Sequence, residues 1–220
     1  MEVARPSAAL LAGWRALLDA EETAQAERLR LEADRHGYIA AHALTRRLLE
    51  AVGGMAASSW QFHTTESGKP EIARPGTGLH FSHAHTAGLV VSAAANFAVG
   101  IDAESRARRP LDPGVAAAIL APGELALLEA AVPEARHETF LRLWTLREAY
   151  GKATGQGLLY PREDFWFGLD PAHLHLESGD AAQWQVFDWS TERHVLALVA
   201  QHPRNEQIVL ERRSLAPEEL

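Results

Sequence analysis

Asp102 and Glu104 stand two residues apart in Gly100-Ile101-Asp102-Ala103-Glu104. Glu148 and Lys152 stand four apart in Trp144-Thr145-Leu146-Arg147-Glu148-Ala149-Tyr150-Gly151-Lys152. On a strand, residues i and i+2 share a face; on a helix, residues i and i+4 do. The first segment reads as a strand whose Val99 and Ile101 point away from the two carboxylates. The second reads as a helix on which Trp144, Glu148 and Lys152 form one stripe. Brought together, three carboxylates and a lysine suit a hard cation and a phosphate, since Mg²⁺ takes oxygen ligands and commonly shares one or two carboxylates with substrate phosphates. Taken singly, the same residues also fit a solvated strand end and a surface ion pair, with Trp144 as a core anchor.

Other residues add to this chemistry. Of 21 basic residues only Lys69 and Lys152 are lysine, and each stands in a glycine-bearing segment. Ser67-Gly68-Lys69-Pro70 is a turn by composition, and a rigid turn can present a lysine to an anion as a point charge. His83 and His85 share a face of an extended segment. They suit either half of a zinc site, which would need a third ligand because the chain has no cysteine, or a hydrogen bond from one histidine to a phosphate. Arg106, Arg108 and Arg109 follow the acidic strand and read as a solvated linker or a local basic patch.

Bulk properties narrow the classes. The chain has 220 residues, 47% of them hydrophobic, enough for a packed core. No apolar run approaches the roughly 18 residues of a membrane span, and the N-terminus lacks the pattern of a signal peptide. A net charge of -8 argues against a general nucleic-acid binder. A cytoplasmic monomer is expected, with no membrane and no nucleic-acid partner.

The elements that must carry these residues follow from periodicity. A helix is expected from about Ala20 to Leu49, stopped by Gly53-Gly54. Strands are expected at Trp60–His63, Leu79–His85 and Leu89–Ala95, with a turn near Asn96 leading into Ala98–Asp102. Ser105 to Gly114, polar and proline-rich, reads as a linker. Helices then cover Val115–Leu120, Pro122–Ala131 and Glu138–Thr154, and strands Asp164–Gly168, Leu174–Leu176, Gln183–Asp188 and His194–Ala200. Gln207–Leu210 alternates as an edge strand would. Helices followed by antiparallel strands, twice over, predict an α+β chain of two halves, residues 1–105 and 106–220.

Four motifs occur in order: Gly68-Lys69-Pro70, Phe81-x-x-x-His85-Thr86, Gly100-Ile101-Asp102-x-Glu104, and Trp144-Thr145-x-Arg147-Glu148-Ala149-x-x-Lys152-x-x-Gly155-x-Gly157-Leu158. With them the chain resembles the 4′-phosphopantetheinyl transferases of the long, single-chain, surfactin-synthetase-activating type, from about Arg28 to about Ala200. The resemblance implies two pseudosymmetric α+β halves with the active site in the cleft between them. It implies transfer of the 4′-phosphopantetheine group of coenzyme A to a serine of an apo acyl or peptidyl carrier protein, with release of adenosine 3′,5′-bisphosphate. Asp102, Glu104 and Glu148 match the ligands of Mg²⁺ (or Mn²⁺), and Glu148 and Lys152 match the catalytic pair. Coenzyme A would meet Lys69, Pro70, His85, Thr86, Asp102, Arg147 and Lys152, with Arg28, Arg30, Arg35 and Arg46 as candidates for its 3′-phosphate. Arg147 stands where the family commonly has lysine, and Ala84 where it usually has serine, with Ser82 on the same face. A metal-dependent phosphoester hydrolase acting on coenzyme A or a nucleotide, and a non-catalytic coenzyme A or carrier-binding protein, are the alternatives.

Overall fold

The computed structural model describes residues 1–3, 6–73, 77–109, 113–157, 161–202 and 206–220. Their elements run α1 (Ala8–Arg15), α2 (Ala20–Arg28), α3 (Glu32–Gly53), β1 (Phe62–Thr64), β2 (Pro70–Ile72), β3 (His80–Thr86), β4 (Leu89–Ala95) and β5 (Val99–Ser105). After these come α4 (Pro113–Ile119), α5 (Pro122–Ala130), α6 (Arg136–Thr154), β6 (Phe165–Gly168), β7 (His173–Leu176), β8 (Trp184–Ser190) and β9 (His194–Gln201). Two compact units result. One is Met1–Asn96 with Leu210–Leu220, and the other is Phe97–Val209. Each mixes helices with antiparallel strands, so the chain is α+β.

In the first unit the polar residues ahead of the helices act as caps. Ser7 accepts from the Leu10 amide, and Asp19 and Glu22 form a reciprocal capping box. The expected helix over 20–49 is two helices, because Leu29 is extended and ends α2. No glycine or proline marks that break. α3 ends where Gly54 takes a left-handed φ of 72°. α1 and α2 pack on α3, which lies on the antiparallel pair β3–β4. Trp14, Ile39, Ala43 and Val90 form the core, and Leu215 and Leu220 from the tail pack against it.

The charges around Arg46 in this unit are paired. Arg46 is 0% exposed and donates to Glu22 and Asp19 at 2.8 Å each, and to the carbonyls of Ala57 and Trp60. Its guanidinium also lies over the Phe62 ring. His42 completes the group, with its Nδ1 2.8 Å from Glu22. An unpaired buried charge is expensive, and Arg46, Glu22 and Asp19 each have a partner within this cluster.

The second unit is built on an antiparallel sheet in the order β5-β9-β8, with α6 on one face. Register places Asp102 opposite Ala197 and Glu104 opposite Val195. Leu120, Leu143, Leu146, Phe167, Val195 and Val199 are fully or almost fully buried between α6, the sheet and the β6–β7 hairpin. β5 pairs with β9 and therefore belongs to this unit, so the division falls at Asn96/Phe97, ahead of the 105/106 boundary expected.

Two further expectations change. The Gln207–Leu210 segment is not a strand; Gln185 holds it through side-chain bonds to the Glu206 carbonyl and the Ile208 amide. The linker expected over 105–114 begins inside β5. Its Arg106 and Arg108 are tied down by Glu138 and Glu104, while residues 110–112 lie outside those described. Among the described residues, no helix is long and apolar enough to cross a membrane.

Candidate active site

The acidic motif and the helix motif meet across the contact of β5 with α6. Gly100, Asp102 and Glu104 share one strand face, and Gly100 shows which way it looks. A Cβ on Gly100 would stand 1.9 Å from the Ala149 carbonyl oxygen and 2.4 Å from the Ala153 amide nitrogen, both backbone atoms of α6. Glycine here lets helix and strand approach closely, so the residues next along each can touch. At the other end of the motif, Gly155 stops α6 with a left-handed φ of 77°. The Gly157 amide then folds back to the Gly151 carbonyl at 3.1 Å, an approach that a side chain on Gly151 would obstruct.

The stripe on α6 faces the strand carboxylates. Lys152 Nζ donates to Asp102 Oδ1 at 2.7 Å, and the Trp144 indole N–H donates to Glu104 Oε1 at 2.9 Å. Arg108 pairs with Glu104 and stacks 5.3 Å over the Trp144 ring. Lys152 is thus paired with the strand, and Trp144 has a polar task besides packing. The indole bond and Arg108 were not foreseen; the i,i+4 spacing of Trp144 and Glu148 was the only sign of the first.

Burial pushes the Asp102 carboxyl above its ordinary range, against the pull of Lys152. Glu104 is raised by burial and by Asp102, with Arg108 opposing. Glu148 is raised by burial and then by the charges of Asp102 and Glu104, with Lys152 and Arg108 opposing. Three acids therefore repel one another in a half-dry place, and two cations leave them under-neutralised. Among the described residues, no three His, Asp or Glu side chains close around a single point; Asp102 and Glu104 turn to Lys152 and Arg108. The donor chemistry, carboxylate oxygen alone, still fits a hard divalent ion.

The remaining predicted contacts divide. In the first unit, Lys69 precedes β2, where Thr64 pairs with Pro70. Burial lowers the Lys69 ammonium pKa, with Glu71 opposing. His85 and Thr86 end β3, and the His85 ring lies on Gly37 of α3, where a Cβ would come within 2.8 Å. Arg35 stands two residues before that glycine and is half-buried. His83 takes a different path, with its Nδ1 3.2 Å from the Thr45 hydroxyl. Ser82 and Ala84 are both buried on the other face of β3.

Two predicted contacts are corrected. Arg46 is enclosed by Asp19, Glu22 and two carbonyls and presents nothing to a phosphate. Arg147 is 4% exposed and donates to Glu124 at 2.8 Å, so it too is spent inside the fold.

Residues 98–209, half of the chain and all of the motif-bearing β5–α6 region, match the family model described as the 4′-phosphopantetheinyl transferase superfamily. The chain belongs to this superfamily. As a phosphopantetheinyl transferase, it moves the 4′-phosphopantetheine group of coenzyme A onto carrier proteins. It is 28% identical to a 4′-phosphopantetheinyl transferase of Bacillus subtilis, over 86% of this chain and 84% of the relative. It is 29% identical to the 4′-phosphopantetheinyl transferase HetI of Nostoc sp., over 84% and 78%. The structure of holo-[acyl-carrier-protein] synthase (AcpS) from Neisseria meningitidis aligns with 48% of this transferase and 97% of its own chain, at 21% identity and a TM-score of 0.39.

Proposed function

We propose that the transferase reaction is carried by Glu148 and Lys152 of α6 together with Asp102 and Glu104 of β5. The observation behind this reading is the 2.7 Å Lys152–Asp102 pair, with Glu148 in the same field of charge. Asp102, Glu104 and Glu148 would hold Mg²⁺ or Mn²⁺, which supplies neutralising charge at the pyrophosphate when bound.

The chain's own groups do the rest. The carrier serine Oγ attacks the β-phosphate of coenzyme A; the new P–O bond forms as the bond to the bridging oxygen breaks, and adenosine 3′,5′-bisphosphate leaves. Glu148 takes the serine proton, a role suited to a carboxylate whose basicity burial has raised. Lys152 places its ammonium beside the charge that develops on the leaving phosphate. Lys69, Pro70, His85 and Thr86 are assigned to coenzyme A by motif match, and Arg35 to its 3′-phosphate, supported by its place two residues before the glycine under His85. The two units are read as pseudosymmetric, since α3 lies on β3–β4 as α6 lies on β5–β9. The enzyme is taken to act as a cytoplasmic monomer on acyl or peptidyl carriers.

The deciding experiment incubates Glu148→Gln with coenzyme A, Mg²⁺ and an apo-carrier and weighs the intact carrier. No mass gain is expected, with a melting curve like that of the parent. Near-normal transfer would overturn the assignment.

A further inference from the structure

Glu148 and Lys152 are useful only if α6 keeps one rotation about its own axis, and no single apolar face chooses that rotation. Phe140, Leu141, Leu143, Leu146, Ala149 and Ala153 are all buried. At 3.6 residues per turn they are spread around the whole helix. Buried apolar side chains on every side give α6 no single apolar face to set its direction. Directional contacts, together with the close backbone approach at Gly100, supply it.

One such contact is buried on the flank of the stripe. Arg147 precedes Glu148 and donates through Nη1 to Glu124 Oε2 at 2.8 Å and to the Phe165 carbonyl at 3.4 Å, with its guanidinium 4.3 Å over the Phe165 ring. Glu124, 0% exposed, also accepts from the Ala121 amide and the Phe167 amide, each at 2.9 Å. One carboxylate thus joins the start of α5, strand β6 and helix α6. A buried pair of this kind adds little net stability compared with an apolar replacement, because both charges are desolvated; what it can add is a unique arrangement.

We propose that Glu124 and Arg147 are a positioning pair for the transfer reaction, a rotational lock that holds the Glu148–Lys152 face of α6 on β5. Arg147 is then not a coenzyme A contact. The inference rests on the assignment of Glu148 and Lys152 to the chemistry, and it adds two residues that touch no substrate.

The test compares Glu124→Gln, Arg147→Met and Arg147→Lys with Glu148→Gln as a reference, measuring melting curves, calorimetric coenzyme A affinity, and kcat and KM for phosphopantetheine transfer. Loosening the site by an ångström costs on the order of 100-fold in rate, so Glu124→Gln and Arg147→Met should lose about 10- to 100-fold in kcat per folded molecule. Coenzyme A affinity should fall by much less than kcat, since neither residue meets it and any loss comes only through the displaced Lys152 face. Arg147→Lys, which keeps the charge, should recover most of the kcat lost in Arg147→Met. Unchanged kcat with only a lower melting temperature, or weakened coenzyme A binding with kcat intact, overturns the lock. If Glu124→Gln does not fold, the contrast of Arg147→Met with Arg147→Lys decides by the same criteria. An inactive Glu148→Gln beside a fully active Glu124→Gln removes the lock alone; a fully active Glu148→Gln removes the site assignment and the lock with it.

Discussion

Removing the Lys152 ammonium would do two things, because that group neutralises Asp102 as well as standing beside Glu148. Asp102 is only 7% exposed, and without its partner it becomes an under-compensated buried charge. Lys152→Gln is therefore expected to lose about 1–3 kcal/mol of stability as well as activity. Asp102→Asn in the same chain should restore most of the melting temperature and none of the transfer, which differential scanning calorimetry and carrier mass can separate. Glu22 offers a different test at this scale. Burial raises its pKa, but hydrogen bonds and charge from His42 and Arg46 outweigh burial, and the net shift is downward from 4.5. A carboxylate with a lowered folded pKa stabilises the native state above its unfolded pKa and stops doing so as pH falls through the folded value. The contribution of Glu22 to the urea midpoint should accordingly fade as pH falls below 4.5, so Glu22→Gln should lower the neutral midpoint by more than the acid one.

Helix against strand is the next scale, and Gly100 governs it. A methyl group there meets the backbone of α6 at 1.9 Å, and backbone cannot turn aside as a side chain can. Gly100→Ala should cost about 1–3 kcal/mol or more through overpacking. It should also spread Asp102 and Glu104 from the stripe, so residual transfer per folded molecule should fall too, as measured on protein held below its melting point. Much at this scale was legible from residue types. The acidic motif, the strand Leu89–Ala95, helices α5 and α6 and the four late strands are marked by residue type or by breakers such as Pro122 and Gly155. The break between α2 and α3 was not legible, because Leu29-Arg30-Leu31 are good helix formers and tertiary packing overrides them. α1 went unseen as a short alanine- and leucine-rich segment, and β2 was hidden in what composition marks as a turn. The fates of Arg46 and Arg147 were illegible for another reason. A motif supplies a charge, while burial of that charge depends on Glu22 and Glu124, 24 and 23 residues away.

For the molecule as a whole, charge and connectivity set the expectations. The chain carries -8 at neutral pH with eleven histidines, and its net charge vanishes near pH 5.8. Self-association and loss of solubility should peak there, in light scattering at fixed ionic strength, because mutual repulsion is then least. Arg106 and Arg108 are occupied by Glu138 and Glu104, so they add little to any positive face for an acidic carrier.

The tail carries a consequence of its own. Leu215 and Leu220 pack against the core of Trp14 and Ile39, yet they are synthesised after the whole of Phe97–Val209. The unit begun second closes on residues that all precede the tail, while the earliest helices need the tail to finish covering their core. A variant truncated after residue 209 should keep the later unit resistant to protease and be cut within the earlier one, as limited proteolysis read by intact mass would show. Until the tail docks, a folding chain leaves part of the Trp14 and Ile39 core open to water, and that is where it is most exposed to aggregation.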